Sequence, residues 1–418
     1  MIYLTKRGEH IMKKNLLGLD VLRGLGIFVL LVMHTAFYYF SGLFELDLNN
    51  PPLIVTLIGL MLMFAGVFAM ISGLVHTYQH YRKIDEQHIS FSTALKHNLK
   101  SGLFVLIIAY LYFIFTGPGL THMSEQFMSN SIFVEFLSSG KIINTTLERV
   151  LYVDSLVMIG LNILLLGILF RLHTRFFKKI TPNFYLIAAL LFFVFSLIRI
   201  PLYEVYLNAL DSENWVVVLS LNFLVNKNNP VFPYLSFALF GAWIATLLRT
   251  VSFKQLVKQV LPLGLFLFIA GVALYILLPD TMLQRSIDPV WFALMMAQNG
   301  LFMLLILLAL KIYDFGKTKE LNILSRFLKR FGVAGLSIFF IESMVSAAVY
   351  SLIRLVYPSV SLDIPGSLLF GFTLAVIWGF LLILWEKHGY KYGVEYFYTQ
   401  YLKATGGSHK ASKLEEHK

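Results

Sequence analysis

The 418-residue chain contains no cysteine, which excludes disulfides, thiolate nucleophiles, iron–sulfur clusters and cysteine-ligated zinc. Charge is also scarce: charged residues make up 14% of the chain and hydrophobic residues 58%, with a mean hydropathy of +0.74. A soluble domain carries about 25% charged residues. No Walker-type or Gly-x-Gly-x-x-Gly loop is present, so nucleotide binding of those classes has no support. The composition predicts an integral membrane protein.

Ten apolar segments are long enough to cross a bilayer, whose ~30 Å hydrocarbon core needs about 20 helical residues. The third and fifth are short, and we expect flanking residues to extend them. The pattern predicts an all-α, polytopic membrane protein. The segments are 16–40, 53–75, 101–116, 150–170, 184–200, 231–249, 259–278, 291–311, 332–353 and 366–385.

The distribution of positive charge predicts the orientation. Most of the 34 lysines and arginines fall in the N-terminal arm, in every second connection and in the C-terminal tail. The positive-inside rule then predicts that both termini are cytoplasmic. The first segment lacks a small-x-small cleavage site, so we interpret it as a retained helix. The net charge of +11 is therefore topological, and no nucleic-acid partner is expected.

The remaining segments complete the predicted organisation. Residues 117–149 and 201–230 are long external connections whose aromatic residues favour packed caps. A cytoplasmic interfacial helix is expected at about 390–403, and residues 404–418 are expected to be a disordered tail. The absence of cysteine and the compact loops fit a bacterial cytoplasmic membrane, with lipid as an obligate partner.

The first span carries ionisable residues inside an apolar run. Arg23 and His34 are eleven residues apart, which places them on one helix face roughly 16 Å apart, with Asp20 on nearly the same stripe. Ionisable side chains at membrane depth usually face a protein interior or a watery cavity. A buried neutral imidazole suits a general base. The alternative is an Asp20–Arg23 pair that anchors the helix, with His34 hydrogen-bonded in the bundle.

Two further carboxylates lie in apolar spans. Glu342 is near the middle of the ninth span, where it must be protonated or find a cation. It either pairs with Arg23, orients His34 or joins helices by a hydrogen bond. Asp154 begins the fourth span at about the depth of His34. It either orients the imidazole, binds an acceptor or caps the helix.

His76 and His80 have the four-residue spacing that can chelate a metal on a helix. No third ligand accompanies them, so we interpret the pair as a solvated cytoplasmic face and predict no metal.

Two groups of basic residues flank the predicted cytoplasmic ends of the spans. Each group is a topology signal, and together they are candidate ligands for phosphates. The groups are Arg82, Lys83, Lys96 and Lys100, and then Arg326, Lys329 and Arg330.

These residues resemble the transmembrane acyltransferase superfamily, which includes bacterial relatives of heparan-α-glucosaminide N-acetyltransferase and, more distantly, acyltransferase family three. Leu19–Gly24 followed by His34 is similar to the family's Arg-x10-His signature. The chain departs from the family's pattern at two places: Gly393-Val394-Glu395 lacks a proline, and the fourth span lacks a clear motif. Weaker similarities cover Phe68–Gly73, Asn229–Tyr234, Phe240–Ala242, Gly332–Ser343 and Gly389–Glu395.

The resemblance implies a single acyltransferase-like domain over residues 1–403. It implies that an acyl group, generally acetyl from cytoplasmic acyl-CoA, passes to an extracytoplasmic sugar or glycan. His34 would be the catalytic histidine and Arg23 would act at the donor site. Whether His34 deprotonates the acceptor or first carries the acyl group stays open.

Two other functions remain possible at this point. The first is a transporter or flippase that uses Arg23, His34 and Glu342 as a polar path. The absence of a visible repeat and of paired helices broken at mid-membrane stands against it. The second is a non-catalytic envelope or sensor protein that keeps the scaffold.

Overall fold

The computed structural model describes residues 16–47, 51–122, 125–278, 287–316 and 320–405. Most of the predicted disordered tail lies outside these residues. The described chain is helical, apart from one hairpin of Leu120–His122 (β1) and Phe127–Ser129 (β2). Its α-helices are Leu17–Tyr39 (α1), Leu53–Leu62 (α2), Ala65–Asp85 (α3), Phe91–Leu111 (α4), Ile132–Ser139 (α5), Leu147–Leu151 (α6), Ser155–Phe176 (α7), Pro182–Phe195 (α8), Arg199–Asp211 (α9), Trp215–Val225 (α10), Val231–Thr250 (α11), Phe253–Leu277 (α12), Pro289–Ala309 (α13), Ile323–Val333 (α14), Gly335–Val356 (α15), Ile364–Lys387 (α16) and Val394–Thr405 (α17).

Ten helical stretches in the described ranges are long and apolar enough to cross a membrane. They coincide with the ten predicted segments, which confirms the all-α polytopic class. The third and fifth extend as expected, to Phe91–Thr116 and Pro182–Asp211. The orientation of the termini stays a prediction.

Side-chain caps fix where many of the long helices begin. A helix leaves its first backbone N–H groups without partners, and an oxygen at the N-cap accepts one of them. Four helices begin in this way: α4 at Ser90, α7 at Asp154, α13 at Asp288 and α16 at Asp363. Ser252 and Gln255 form a reciprocal capping box at α12.

Helix α11 is the centre of the molecule, and nearly all of its residues are buried against α3, α7 and α8. Glycines allow the closest approach. A Cβ at Gly73 would lie 2.1 Å from the Ala238 carbonyl oxygen, and one at Gly241 would lie 2.0 Å from that of Met70. Small residues at a helix contact let backbones pack closely in a membrane. These contacts give a packing reason for two of the motifs noted in the sequence.

Helix α1 packs in the same way on α14. A Cβ at Gly24 would lie 1.8 Å from the Leu328 carbonyl oxygen, and one at Gly332 would lie 1.9 Å from that of Asp20. The glycine that follows Arg23 therefore sets the distance between these two helices. Helix α16 covers another side of α1.

The second span is not one continuous helix. It ends as α2 at Leu62, turns at Met63 and Phe64, and resumes as α3 at Ala65. A single interrupted span is not the pair of broken helices that would favour a transporter. None of the residues of α2 is buried, and the helix packs mainly along α1. The break separates α2 from the largely buried α3.

The two long connections contain regular structure. Residues 117–149 include the hairpin and α5, and the span that follows begins with α6. Residues 201–230 are mostly helical, because α9 continues the fifth span and α10 follows it. Helix α17 lies where the interfacial helix was expected.

Candidate active site

His34 and Glu342 are brought together by α1 and α15. The His34 Nδ1 and Glu342 Oε1 atoms are 3.0 Å apart, and the Glu342 side chain is 2% exposed. Ser343 Oγ donates to the same carboxylate oxygen at 2.9 Å. Among the alternatives for Glu342, the structure therefore shows pairing with His34 and not with Arg23.

This contact determines which nitrogen of His34 can act as a base. When the Nδ1–H group donates a hydrogen bond to the carboxylate, the neutral ring has its lone pair on Nε2. The same hydrogen bond fixes the orientation of the ring. The arrangement is that of an imidazole oriented by a buried carboxylate, which is the geometry that a general base requires.

His34 borders a cavity of about 940 Å³. The cavity extends along α1 from Gly26, and its lining includes residues of α2, α7 and α9 and the segment that precedes α11. Its polar lining residues include His34, Tyr38, Tyr112, Thr121, Glu148, Tyr152, Asp154, Ser155, Tyr203, Tyr206 and residues 226–229. The imidazole is thus not sealed among lipid-facing side chains.

Asp154 borders the same cavity and also caps α7. Its Oδ1 accepts the Val157 N–H at 2.9 Å. Its Oδ2 is buried and has no hydrogen-bond partner among the described residues. Among the alternatives for Asp154, the structure shows the helix cap, and its second carboxylate oxygen, which the described residues leave without a partner, belongs to a residue that lines the cavity.

Arg23 is separate from the His34 pair. Its Nη2 is 2.9 Å from Asp20 Oδ1, and its Nε donates to the Gly332 carbonyl oxygen at 2.6 Å. Neither Arg23 nor Asp20 is among the described residues that line the cavity. The pair anchors α1 to α14, yet it lies only one helical turn before Gly26, where the lining begins.

The basic groups predicted to bind phosphate lie on α3, α4 and α14. Arg82 Nε is 3.8 Å from Glu86, and Arg330 Nε is 2.7 Å from Glu386. Arg326 donates to the Leu321 carbonyl oxygen at 3.3 Å. Of the other predicted members, Lys96 is exposed, whereas Lys83, Lys100 and Lys329 are half-buried. No residue of either group appears in the described lining of the cavity.

The interpretation of His76 and His80 as a solvated face is wrong. His80 is 3% exposed, and its ring stacks on Phe170 at a centroid distance of 4.2 Å. The Nδ1 atom of His76 is 2.9 Å from the Ser72 carbonyl oxygen. Helix α7 packs on this part of α3 and excludes solvent. In the part of the chain that the structure describes, no group of three or more His, Asp or Glu residues is placed to hold a metal.

Arg149 organises one rim of the cavity and was not predicted. It is 1% exposed and donates to the carbonyl oxygens of Phe113, Pro118 and Ser129 at 2.7, 3.1 and 2.5 Å. It thereby ties α6 to the β-hairpin. Its partners are backbone atoms from distant parts of the chain, so the sequence carried no signal for this role.

Arg199 has the equivalent role at the segment before α11. It donates to the carbonyl oxygens of Val225, Asn226 and Lys227 at 3.2, 2.5 and 3.0 Å. Asn229 N–H donates to the Val153 carbonyl oxygen, which joins this segment to the start of α7. This polar loop is therefore tied by hydrogen bonds to α9 and to the start of α7.

The ten apolar helices of the described ranges make this an integral membrane protein. The family model described as heparan-alpha-glucosaminide N-acetyltransferase, catalytic, matches residues 16–262, more than half of the chain. The chain belongs to this family, and it is therefore a membrane acyltransferase. The match includes Arg23, His34 and Asp154 but ends before Glu342. No curated protein and no solved structure gives a significant match.

Proposed function

We propose that this protein transfers an acetyl group from cytoplasmic acyl-CoA to an extracytoplasmic glycan or related envelope acceptor. The observation that carries the proposal is the contact of the partly buried His34 with the buried Glu342 at the edge of a 940 Å³ cavity. The family supplies the reaction type, and the cavity supplies room for an acceptor beside a base.

The proposed chemistry follows from the pair. His34 Nε2 accepts the proton of an acceptor amine or hydroxyl as that group attacks the thioester carbonyl. The new C–N or C–O bond forms while the C–S bond breaks, and the CoA thiolate leaves and takes up a proton. Glu342 stabilises the imidazolium that exists between these steps. A positioned base contributes roughly 10²- to 10⁴-fold in rate. An acyl-histidine intermediate is the alternative route for the same groups.

The donor is proposed to enter from the side of the basic groups. The predicted orientation places the phosphate-binding candidates at the cytoplasmic face, and their charge suits the phosphates of CoA. The lining of the cavity begins at Gly26, one turn beyond Arg23. The ring of Phe68 packs against Gly26: a Cβ added at Gly26 would lie 2.9 Å from Phe68 Cζ. A pantetheine arm must pass this contact to bring the thioester to His34.

The cavity end next to α7 and α9 is proposed to receive the acceptor. Asp154 Oδ2 is a hydrogen-bond acceptor for a sugar hydroxyl or an ammonium group. Tyr203 is half-buried and is proposed to contact the sugar, whereas Tyr206 is 5% exposed and its hydroxyl donates to Asn222 Oδ1 at 2.9 Å. Both tyrosines border the same cavity as His34.

Purified protein in lipid nanodiscs, given labelled acetyl-CoA and a glucosamine-terminated oligosaccharide, tests the function. We expect CoA release that depends on the acceptor and label that appears on the sugar. Counterflow of substrate without CoA release would instead support a transporter. Saturable binding without either activity would support a non-catalytic sensor.

A further inference from the structure

The cavity at His34 has an apolar wall. This wall consists of the outer part of α1, the short turn Leu43–Glu45 and α2. Its aliphatic and aromatic lining residues include Phe40, Leu43, Leu46, Val55, Ile58 and Leu62.

The start of α7 and the segment before α11 supply polar lining residues. Asp154, Ser155 and Asn226 line the cavity there. Asn226 Nδ2 donates to the Leu151 carbonyl oxygen at 3.2 Å, and the bond from Asn229 to Val153 continues the contact. These residues form one connected polar surface, whereas most of the lining residues of α1, the turn and α2 are apolar. Further apolar residues, among them Phe113, Leu207 and Leu210, line the cavity elsewhere. The cavity is amphipathic by construction.

Helix α2 is apolar on both of its sides. Val55, Ile58, Gly59 and Leu62 line the cavity, and their spacing of three and four residues places them on one helix face. Leu57 belongs to a different face and is 47% exposed, as a lipid-facing residue is. None of the residues of α2 is buried, and Val55, Ile58, Gly59 and Leu62 are partly exposed where they line the cavity. A cavity that received only water and sugar would gain nothing from this apolar inner face.

We infer that the acceptor is an amphiphile whose sugar contacts the polar surface and whose lipid chain lies along the inner face of α2. The inference rests on the proposed acyl transfer and specifies its acceptor. His34 borders the same cavity as both walls, so the base would reach the headgroup while the chain stays in an apolar environment. The 940 Å³ volume is near the upper end of the ~300–1,000 Å³ of ligand pockets, which suits a sugar with part of a chain.

Two glycosides with one headgroup test the inference: methyl and octyl β-D-glucosaminide, assayed with labelled acetyl-CoA in nanodiscs. A chain also concentrates a compound in the bilayer, so the preference of the wild type alone decides nothing. The comparison therefore uses Ile58→Trp, which fills the inner face of α2, and Leu57→Trp, which adds the same bulk on the lipid side. Partitioning into the bilayer is the same for both variants.

We expect Ile58→Trp to lower the octyl-to-methyl ratio of kcat/KM by roughly tenfold, as when a pocket loses room for one or two methylenes. Leu57→Trp should leave the ratio within twofold of the wild type. If Ile58→Trp lowers both glycosides equally, α2 merely shapes the site and the inference is wrong. Transfer to the methyl glycoside would still support the proposed function, so the two failures are distinguishable.

A second measurement does not depend on turnover. The chain has no cysteine, so Ile58→Cys and Ser155→Cys each introduce a single thiol. Octyl β-D-glucosaminide should slow methanethiosulfonate labelling at both positions, whereas the methyl glycoside should slow it only in Ser155→Cys. An Ile58→Cys thiol that does not react, or that both glycosides protect equally, would overturn the inference.

Discussion

Glu342→Gln removes the charge next to His34 and keeps the shape. In the structure both the His34 ring and the Ser343 hydroxyl use Oε1, so the amide oxygen of glutamine can accept both hydrogen bonds. What is lost is the stabilisation of the imidazolium by a carboxylate that is 2% exposed. A hydrogen bond to a charged group contributes about 1.5–3 kcal/mol. Because 1.36 kcal/mol is tenfold in rate, kcat should fall roughly 10- to 150-fold.

The assay is the release of CoA from acetyl-CoA by purified variants at saturating acceptor. Glu342→Ala should lose more than Glu342→Gln, since it also frees the ring. The exposed Glu213, in the turn between α9 and α10, offers a control, and Glu213→Gln should stay within twofold of the wild type. A kcat for Glu342→Gln within threefold of the wild type, with unchanged thermal stability, would refute the reasoning that this carboxylate supports the base.

Three further outcomes are expected. Gly24→Ala should lower the free energy of unfolding of the detergent-purified protein by about 1–3 kcal/mol, because its Cβ meets the Leu328 carbonyl oxygen; a lower melting temperature would show this. Gly140→Ala is the comparison for crowding, since a Cβ there meets nothing within 4 Å and only its φ of +74° adds strain. Arg149→Met should leave the carbonyl oxygens of Phe113, Pro118 and Ser129 without their donor and raise KM for the acceptor more than KM for acetyl-CoA, which initial rates with each substrate varied would show. Glu395 accepts from the Leu336 and Ser337 backbone N–H groups and from Ser337 Oγ, so Glu395→Ala should destabilise the start of α15 and speed amide hydrogen exchange there, with no change at α11.

The spans were predictable because membrane depth imposes a long apolar run on every crossing helix. The same constraint made His34, Glu342 and Asp154 visible, since each interrupts such a run. The partner of Glu342 was not predictable, because α1 and α15 are adjacent only in the folded bundle. The family motifs around Gly24, Gly73 and Gly241 were visible as patterns in the sequence. The physical reason for these glycines, the close contact of two helix backbones, is visible only in the structure.

Other features of the structure were not predictable from the sequence, for identifiable reasons. The break at Met63 and Phe64 leaves the second span apolar throughout, so hydropathy does not register it. His80 was misassigned because its four-residue spacing from His76 says nothing about α7, which covers it. The segment 201–230 was interpreted as a loop because it carries more polar residues than a span, although α9 and α10 are helical. Arg149 and Arg199 bind backbone carbonyls, and no side-chain pattern marks such partners.

The central claim is that the imidazole of His34 is the base for acyl transfer. The most direct measurement compares acceptor-dependent CoA release by His34→Ala with that of the wild type, using His388→Ala, an exposed histidine after α16, as the control. The account predicts a loss of at least about 10²-fold for His34→Ala, no more than twofold for His388→Ala, and unchanged thermal stability for both. Turnover by His34→Ala within a few fold of the wild type would contradict it.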